Sequence, residues 1–593
     1  MNMDSHRANW PTLRNVTFAA MALVVLSPGF VPSMVCAQSK IPLEELFDEF
    51  LSEECRIHPT FASALGKHEH DHQLDDLTPE ARAKDIARYR NWLSRLSTEL
   101  DASSTSRDSR IDAEIWRHAL EYRIWQATQT DDFANDPRVY LTYASDSVFG
   151  LLTQSTLPKH RNIENASQRI SQIPKMIAAA KESIKNPPRI LTEIAIQRTQ
   201  GAIDFYREGI FALADEPRAL SLLTGPSDQA ARSLTEFKEF LQNEVLPRSN
   251  GSWRLGKEKF YAKLALELDA GLNGDEVIAE ARFEADRVEQ EMYYVAKQLW
   301  HDLFPDRVVP PDDPEGRRET VRSVLNQLGR SHGKPEELVE DARQTVARIQ
   351  SMIREKGILT LPDPDQCEII EMPEFQRGFS AAYLNPAPPL DADARSLYAI
   401  SPPPSDWPDS RRTAFLEEYN QYMLQILTIH EAYPGHYVQL DYSNRSPSLI
   451  RKVFSSGVFA EGWAVYTEQM MLDQGYGHGD LALRLHQLKF YLRAVLNAIL
   501  DHSMHCSDMS DEEAMTLLTE RGYQTEGEAF GKVQRAKQSS CQLSTYFVGR
   551  TAFYRLRQSV QRRRGDAFDL GAFHEQVLHC GTLPVKYLPE LVQ

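Results

Sequence analysis

The chain has 593 residues, 42% of them hydrophobic, which is enough apolar material for one large core or several ordinary ones and too much for a disordered polypeptide. Its 84 acidic residues outnumber 66 basic ones, a formal charge of −18, and this argues against nucleic acid as a partner because phosphate contacts need a basic face.

In chain order, residues 1–37 carry Arg7 and Arg14, an apolar run from about Val16 to Val31, and "VCA" before Gln38. They read as an export leader cleaved after Ala37. The alternatives are weaker: Pro28 interrupts the run, which is short for an uncleaved anchor, and "SMVC" lacks the small residue that usually precedes a lipidated cysteine. Losing two arginines and Asp4 makes the mature chain one charge more negative. No later segment is apolar for the length of a membrane span, so the expectation is an exported, soluble protein, periplasmic or secreted, without membrane contact. Cys55, Cys367, Cys506, Cys541 and Cys580 remain, an odd number without C-x-x-C spacing. They are expected to be mostly buried or singly paired and not to bind metal.

The next region is helical in pattern. "DEVIAEARFEADRVEQEMYYVAKQLW" and "DARQTVARIQSMIREKG" place apolar residues at a 3.6-residue period, and strand signals are sparse, so the fold class is mainly α. Residues 38–360 form a helical N-terminal half and residues 361–593 a second half, the two expected to interlock as one unit. Pro, Gly and Asp punctuate the chain at "LPRSNGSWRLG", "FPDRVVPPDDPEG" and "LPDPDQ". Between about residues 368 and 404, "GFSAAYLNPAPP" and "RSLYAISPPP" predict a small irregular β-sheet. "SLYAI", Ser396 to Ile400, is either an open edge on which an extended peptide could pair or an ordinary buried strand.

Three places put Glu after His, the pair that supplies a metal ligand and a base from adjacent residues. "HEHDH" (His68, Glu69, His72) has the letters of HExxH, but every residue from Lys67 to Gln73 is polar, so no apolar stripe buries a ligand-bearing helix; a solvated loop is expected. "FHEQVLH" (His574 to His579) has too little chain after it for a third ligand, although His574 could line a site built elsewhere. The third, "HEAYPGH", follows Phe415, Tyr419, Tyr422, Met423, Ile426 and Leu427 at helical spacing, so His430 ends the apolar face of a helix about five turns long. His436 lies six residues on, where an unbroken helix would turn it roughly 120° away. Pro434 removes a helix donor and Gly435 permits a turn, so the helix must bulge or break between Ala432 and His436 for both imidazoles to reach one ion. Downstream, "GVFAEGWAVYTEQMML" sets Glu461 among Phe459, Trp463 and Val465, where a buried carboxylate needs a partner such as a metal. Glu468, on the same face, could orient a histidine from behind.

"HEAYPGHYVQL" followed by "AEGWAVYTE" resembles the bacterial domain-of-unknown-function family 885, and "AEGWA" is similar to the glutamate-bearing helix of aminopeptidase-type gluzincins. "PTFASALGKHEHD", "AVLNAILDHSMH", "CQLSTYFVGR" and "FHEQVLHCGTLP" extend the likeness over nearly the whole mature chain. The resemblance implies a mostly helical, gluzincin-like metallopeptidase body with His430, His436 and Glu461 as ligands and Glu431 as base. Where Pro-Gly would be expected before Gln542, this chain has Ser540-Cys541, which puts the local loop shape in doubt.

The chemistry expected from these residues is hydrolysis with one zinc per chain. Glu431 takes a proton from water, and Tyr546 donates to the developing oxyanion. Arg550 could bind a substrate carboxylate in a fork, and Asp501 and His505, four apart, could pair behind the site. The substrate is a peptide or small amide. An exported metal-containing binding protein without turnover, or a hydrolase of non-peptide amides or esters, stays open, as does the number of associated copies.

Overall fold

The computed structural model describes residues 41–100, 106–372 and 382–593. The leader assigned to residues 1–37 and the first part of "GFSAAYLNPAPP" lie outside them. The described chain is mainly α with one small three-stranded sheet.

Eight helices and three strands position the site: α1 (Gly274–Leu303), β1 (Cys367–Glu371), β2 (Ala382–Asn385), β3 (Ser396–Ile400), α2 (Gln421–Glu431), α3 (His436–Asn444), α4 (Gly457–Asp473), α5 (Leu481–Cys506), α6 (Glu526–Gln538), α7 (Thr545–Arg564) and α8 (Leu570–His579). The long α1 starts where Asn273 accepts from the Glu276 backbone N–H while the Glu276 carboxylate returns to the Asn273 N–H. Its buried Val277, Ala281, Ala285, Val288, Met292 and Ala296 recur every three or four residues and pack along α5. One large core draws on both sides of residue 361, from Phe47, Phe50 and Trp116 to Phe459, Trp463 and Phe553. A second core, including Tyr140, Ile163, Ile177, Tyr206 and Phe237, forms a helical lobe within residues 74–245.

The sheet order is β1–β3–β2, with β1 parallel and β2 antiparallel to β3. Ser396 to Ile400 is therefore the central strand, bonded on both sides, and is not an open edge. Tyr398 on it is fully buried and its hydroxyl meets that of Thr428 on α2 at 3.0 Å, which locks the sheet against that helix. The outer strands are β1 and β2, and β2 too contacts α2.

The predicted five-turn helix is two helices, Asp409–Glu418 and α2. Asn420 divides them: its side-chain oxygen accepts from the N–H groups of Tyr422 and Met423 and starts a new helix. At the other end of α2, the chain leaves helical geometry at Ala432 (φ −115°, ψ −83°) and re-enters it at His436. The break required between Ala432 and His436 is present. Gly435 serves it by lacking a side chain, since a Cβ there would meet the carbonyl oxygens of His430 at 1.9 Å and Ile429 at 2.3 Å. The role is close approach, not an unusual φ. Trp463 on α4 donates its indole N–H to the carbonyl of Pro434 at 2.8 Å and so ties the turn to the helix that carries Glu461.

Candidate metal centre

The break folds α3 back so that His436 faces His430, with ring centroids 4.8 Å apart and planes at 89°. From α4, Glu461 Oε2 lies 3.7 Å from His430 Nε2 and 3.5 Å from His436 Nε2. These are too long for good hydrogen bonds. They match instead the spacing of donors sharing one ion: two ligands about 2.1 Å from a tetrahedral centre stand about 3.4 Å apart. Glu461 Oε2 is buried and has no hydrogen-bond partner, a costly state that a cation would relieve. One ligand atom from each of the three residues lies within 4.8 Å of the others. The residues present therefore fit a divalent cation.

Glu468, seven residues after Glu461 and fully buried, stands behind His430. Its Oε1 accepts from His430 Nδ1 at 2.7 Å, which turns Nε2 toward Glu461. Electrostatics reinforce the arrangement. Burial alone would depress His430, but the carboxylates of Glu461 and Glu468 outweigh it and lift the imidazole to about 10. Burial alone would raise Glu461, yet His430 and His436 hold it well below the usual carboxylate range. The cluster thus attracts positive charge strongly, as protons or as a metal ion.

Glu431 ends α2 beside these ligands. Its Oε2 accepts from the Leu384 backbone N–H of β2 at 3.1 Å, leaving Oε1 without a partner among the described residues. Tyr546, at the start of α7, is half-buried, and its hydroxyl accepts from Arg535 at 3.4 Å and Gln542 at 3.3 Å. Burial and the charge of Glu461 raise its pKa, so the hydroxyl keeps a proton it can donate. Two glycines set this relation: α4 and α7 cross at Gly462 and Gly549, where a Cβ on Gly462 would sit 2.4 Å from the Gly549 Cα. Backbone contact between these helices brings the start of α7 close to Glu461.

Four other predicted residues lie elsewhere. Arg550 is buried behind Glu468, bonded to Gln469 Oε1 at 2.5 Å and stacked on Tyr491 and Tyr554, so it has no free fork for a substrate. His574 is fully buried between the Tyr466 hydroxyl (2.8 Å) and the Ile358 carbonyl (2.9 Å), and burial pushes it down to about 3. It holds the core and lines no opening. The partner histidine of that motif, His579, is exposed and bonds the Glu575 carbonyl. Asp501 and His505 stand 3.8 Å apart without a hydrogen bond and touch none of the ligands. His505 instead meets the carbonyls of Ala536 and Ser539, and the Ser544 hydroxyl donates to Asp501 at 3.5 Å. The two brace the loop that leads to Tyr546. In that loop Cys541 has φ +71°, a left-handed conformation that suits the glycine expected there.

"HEHDH" is not the solvated loop its composition predicts. His68 bonds the buried Asp71 at 2.8 Å and reaches Asp391 at 3.4 Å, joining the N-terminal segment to the connection between β2 and β3. Polarity there reflects a half-buried network, and no metal cluster forms from it among the described residues. Cys55, Cys367, Cys506, Cys541 and Cys580 are all unpaired. Residue patterns also missed Leu384, Trp463 as an anchor of the turn, and the cations of α6; none carries a motif that could have marked it.

Asp501 gives a pH-dependent expectation. Burial pushes it up to about 7, so the folded state favours the protonated acid; that stabilisation is complete below about pH 4 and is lost as the pH rises toward 7. Asp501→Asn cannot ionise, and its melting temperature should exceed that of the wild type increasingly from pH 5 to pH 8, with a ceiling of about 4 kcal/mol. Equal melting temperatures at pH 8 would remove the burial argument.

Among curated proteins none matches the chain. Solved structures that share its fold include the following two. One, described as "a putative lipoprotein of unknown function" from Shewanella oneidensis, is 30% identical with a TM-score of 0.79, the match covering 93% of this chain and 99% of that one. The other, described as a "putative lipoprotein" from Colwellia psychrerythraea, is 18% identical with a TM-score of 0.74 over 93% of this chain and 98% of that one. The model of the family "Bacterial protein of unknown function (DUF885)" matches residues 59–592, so His430, Glu431, His436, Glu461 and the loop before Tyr546 all lie inside the match, and the chain belongs to that family.

Proposed function

We propose that this protein is an exported zinc-dependent hydrolase of the gluzincin type that cleaves peptide bonds. The observation that carries the reading is the convergence of His430, His436 and Glu461 with Glu431 alongside. A structural metal site has no need of an adjacent carboxylate. Two imidazoles and one carboxylate are a donor set that suits zinc and leaves a coordination position open. When bound, such an ion supplies Lewis acidity and makes water more acidic.

The residues of the chain do the rest. Glu431 Oε1 takes the proton of the attacking water and passes it to the leaving amine. The Leu384 N–H keeps the other oxygen of that carboxylate fixed. Tyr546 donates to the carbonyl oxygen as negative charge builds, a role that Arg535 and Gln542 support by occupying its lone pairs. Glu468 holds the His430 ring in place. Export is supported by the leader pattern and by the description of the 30%-identical structural relative as a putative lipoprotein.

Elemental analysis of protein purified without chelator should find about one zinc per chain, and His430→Ala should lose it. Digestion of a peptide library then tests the reaction. A metal-free wild type would sink the site, and zinc retained without any cleavage would favour the binding-protein reading.

A further inference from the structure

The helix α6 was in no motif, yet it faces the centre. It carries Lys532 and Arg535, three residues apart and so on one face. Arg535 reaches the Tyr546 hydroxyl and Gln542. Lys532 is half-buried and within electrostatic range of Glu461. A path of contacts joins the same face to the first ligand: Phe490 meets the His430 ring edge-on at 5.7 Å, Arg493 lies over Phe490 at 5.4 Å, and Arg493 pairs with Glu528 of α6.

The charges around this face do not balance. In a chain with an acid excess of 18, buried cations should find acids, and the neighbours do: Lys489 bonds Glu418 at 2.8 Å, and Arg493 has both Glu418 and Glu528. Among the described residues the half-buried Lys532 has no ion pair, and Arg535 beside it, which is exposed, bonds only uncharged oxygens. Glu461 stands with the two histidines around the candidate cation site, 3.5–3.7 Å from their Nε2 atoms. Burial, Arg493 and Arg535 depress the Lys532 ammonium, with Glu528 and Glu461 offsetting only part of that, so a bound anion would be favourable here.

We infer that Lys532 and Arg535 form an anion subsite that takes a free carboxylate of the substrate beside the bond to be cut. The inference rests on the hydrolase reading for the word substrate, but binding can be tested without turnover. Lysine offers a point charge and arginine a fork, both suited to a carboxylate. Two sources share that chemistry: the C-terminus of a peptide, which would make the enzyme a carboxy-exopeptidase, or an acidic side chain.

The test uses the full-length Glu431→Gln protein, metal-loaded and chelated, and calorimetric binding of three probes: tetra-alanine as free acid, tetra-alanine amide, and an alanine tetrapeptide amide containing one glutamate. The free acid should bind roughly ten- to hundredfold more tightly than tetra-alanine amide, and Lys532→Met should erase the difference. If the glutamate amide matches the free acid and loses its advantage in Lys532→Met, the subsite reads side chains instead. No binding of either carboxylate probe, no preference over tetra-alanine amide, or a preference untouched by both Lys532→Met and Arg535→Gln overturns the subsite. The probe comparison in the Glu431→Gln parent needs neither cation variant, so it stands even where one of them misfolds. A preference alongside a wild type that cleaves no peptide would instead fault the hydrolase reading, and wild-type cleavage without a preference would fault only the subsite.

Discussion

Glu431→Gln is expected to keep about one metal ion per chain and to cleave peptide substrates roughly 10²- to 10⁴-fold more slowly, the usual contribution of a positioned base. The proposed ligands are His430, His436 and Glu461, so the substitution removes none of those donors. The glutamine oxygen can still accept from Leu384 N–H, so the strand contact survives. What disappears is the proton acceptor at the second oxygen. The loss should fall on kcat with little change in KM, because the base acts in the transition state. Metal analysis and steady-state kinetics on one preparation check both halves. Full activity in this variant would remove Glu431 from the mechanism, whereas loss of metal would mean that the carboxylate helps to hold the ion.

Gly549→Ala should have the second largest effect, and on assembly of the site more than on its chemistry. A Cβ at residue 549 would lie 2.1 Å from the Val458 carbonyl oxygen and 2.6 Å from the Gly462 Cα, all backbone atoms that no rotamer change can move. The helices α4 and α7 must part, which costs about 1–3 kcal/mol for overpacking and carries Tyr546 away from Glu461. The expected result is a lower melting temperature together with weaker metal retention. Gly527→Ala on α6 is the control, since a Cβ there meets nothing within 4 Å; it should leave stability unchanged or raise it by about 0.5–1 kcal/mol. An unchanged melting temperature in Gly549→Ala would show that the crossing tolerates a wider spacing.

Much of the site was legible along the chain because its chemistry is local. His430 and Glu431 are adjacent, and the Pro-Gly turn that disqualifies HExxH spacing is itself written in the sequence. Glu461 was legible for a different reason: an acid in an apolar helix needs a partner, and Glu468 shares its face. The same logic misled where composition stood in for environment. Polar residues from Lys67 to Gln73 read as solvated, yet Asp71 is fully buried and bonded. Apolar spacing across Tyr419 and Tyr422 read as one helix, because periodicity cannot register that Asn420 caps a new one.

Helical periodicity, the break after Ala432 and the identity of the clustered residues were determined by sequence alone, since each depends on residues a few positions apart. The role of Arg550 was decided only by tertiary structure: its guanidinium could have met a substrate, but contacts with Gln469, Tyr491 and Tyr554 hold it behind Glu468. The same is true of β2 as the strand that anchors Glu431, of Gly462 against Gly549, and of Lys532 and Arg535 beside the centre. Such relations join residues tens to hundreds of positions apart, and they arise from which faces pack together, a property of the whole core that no local pattern contains.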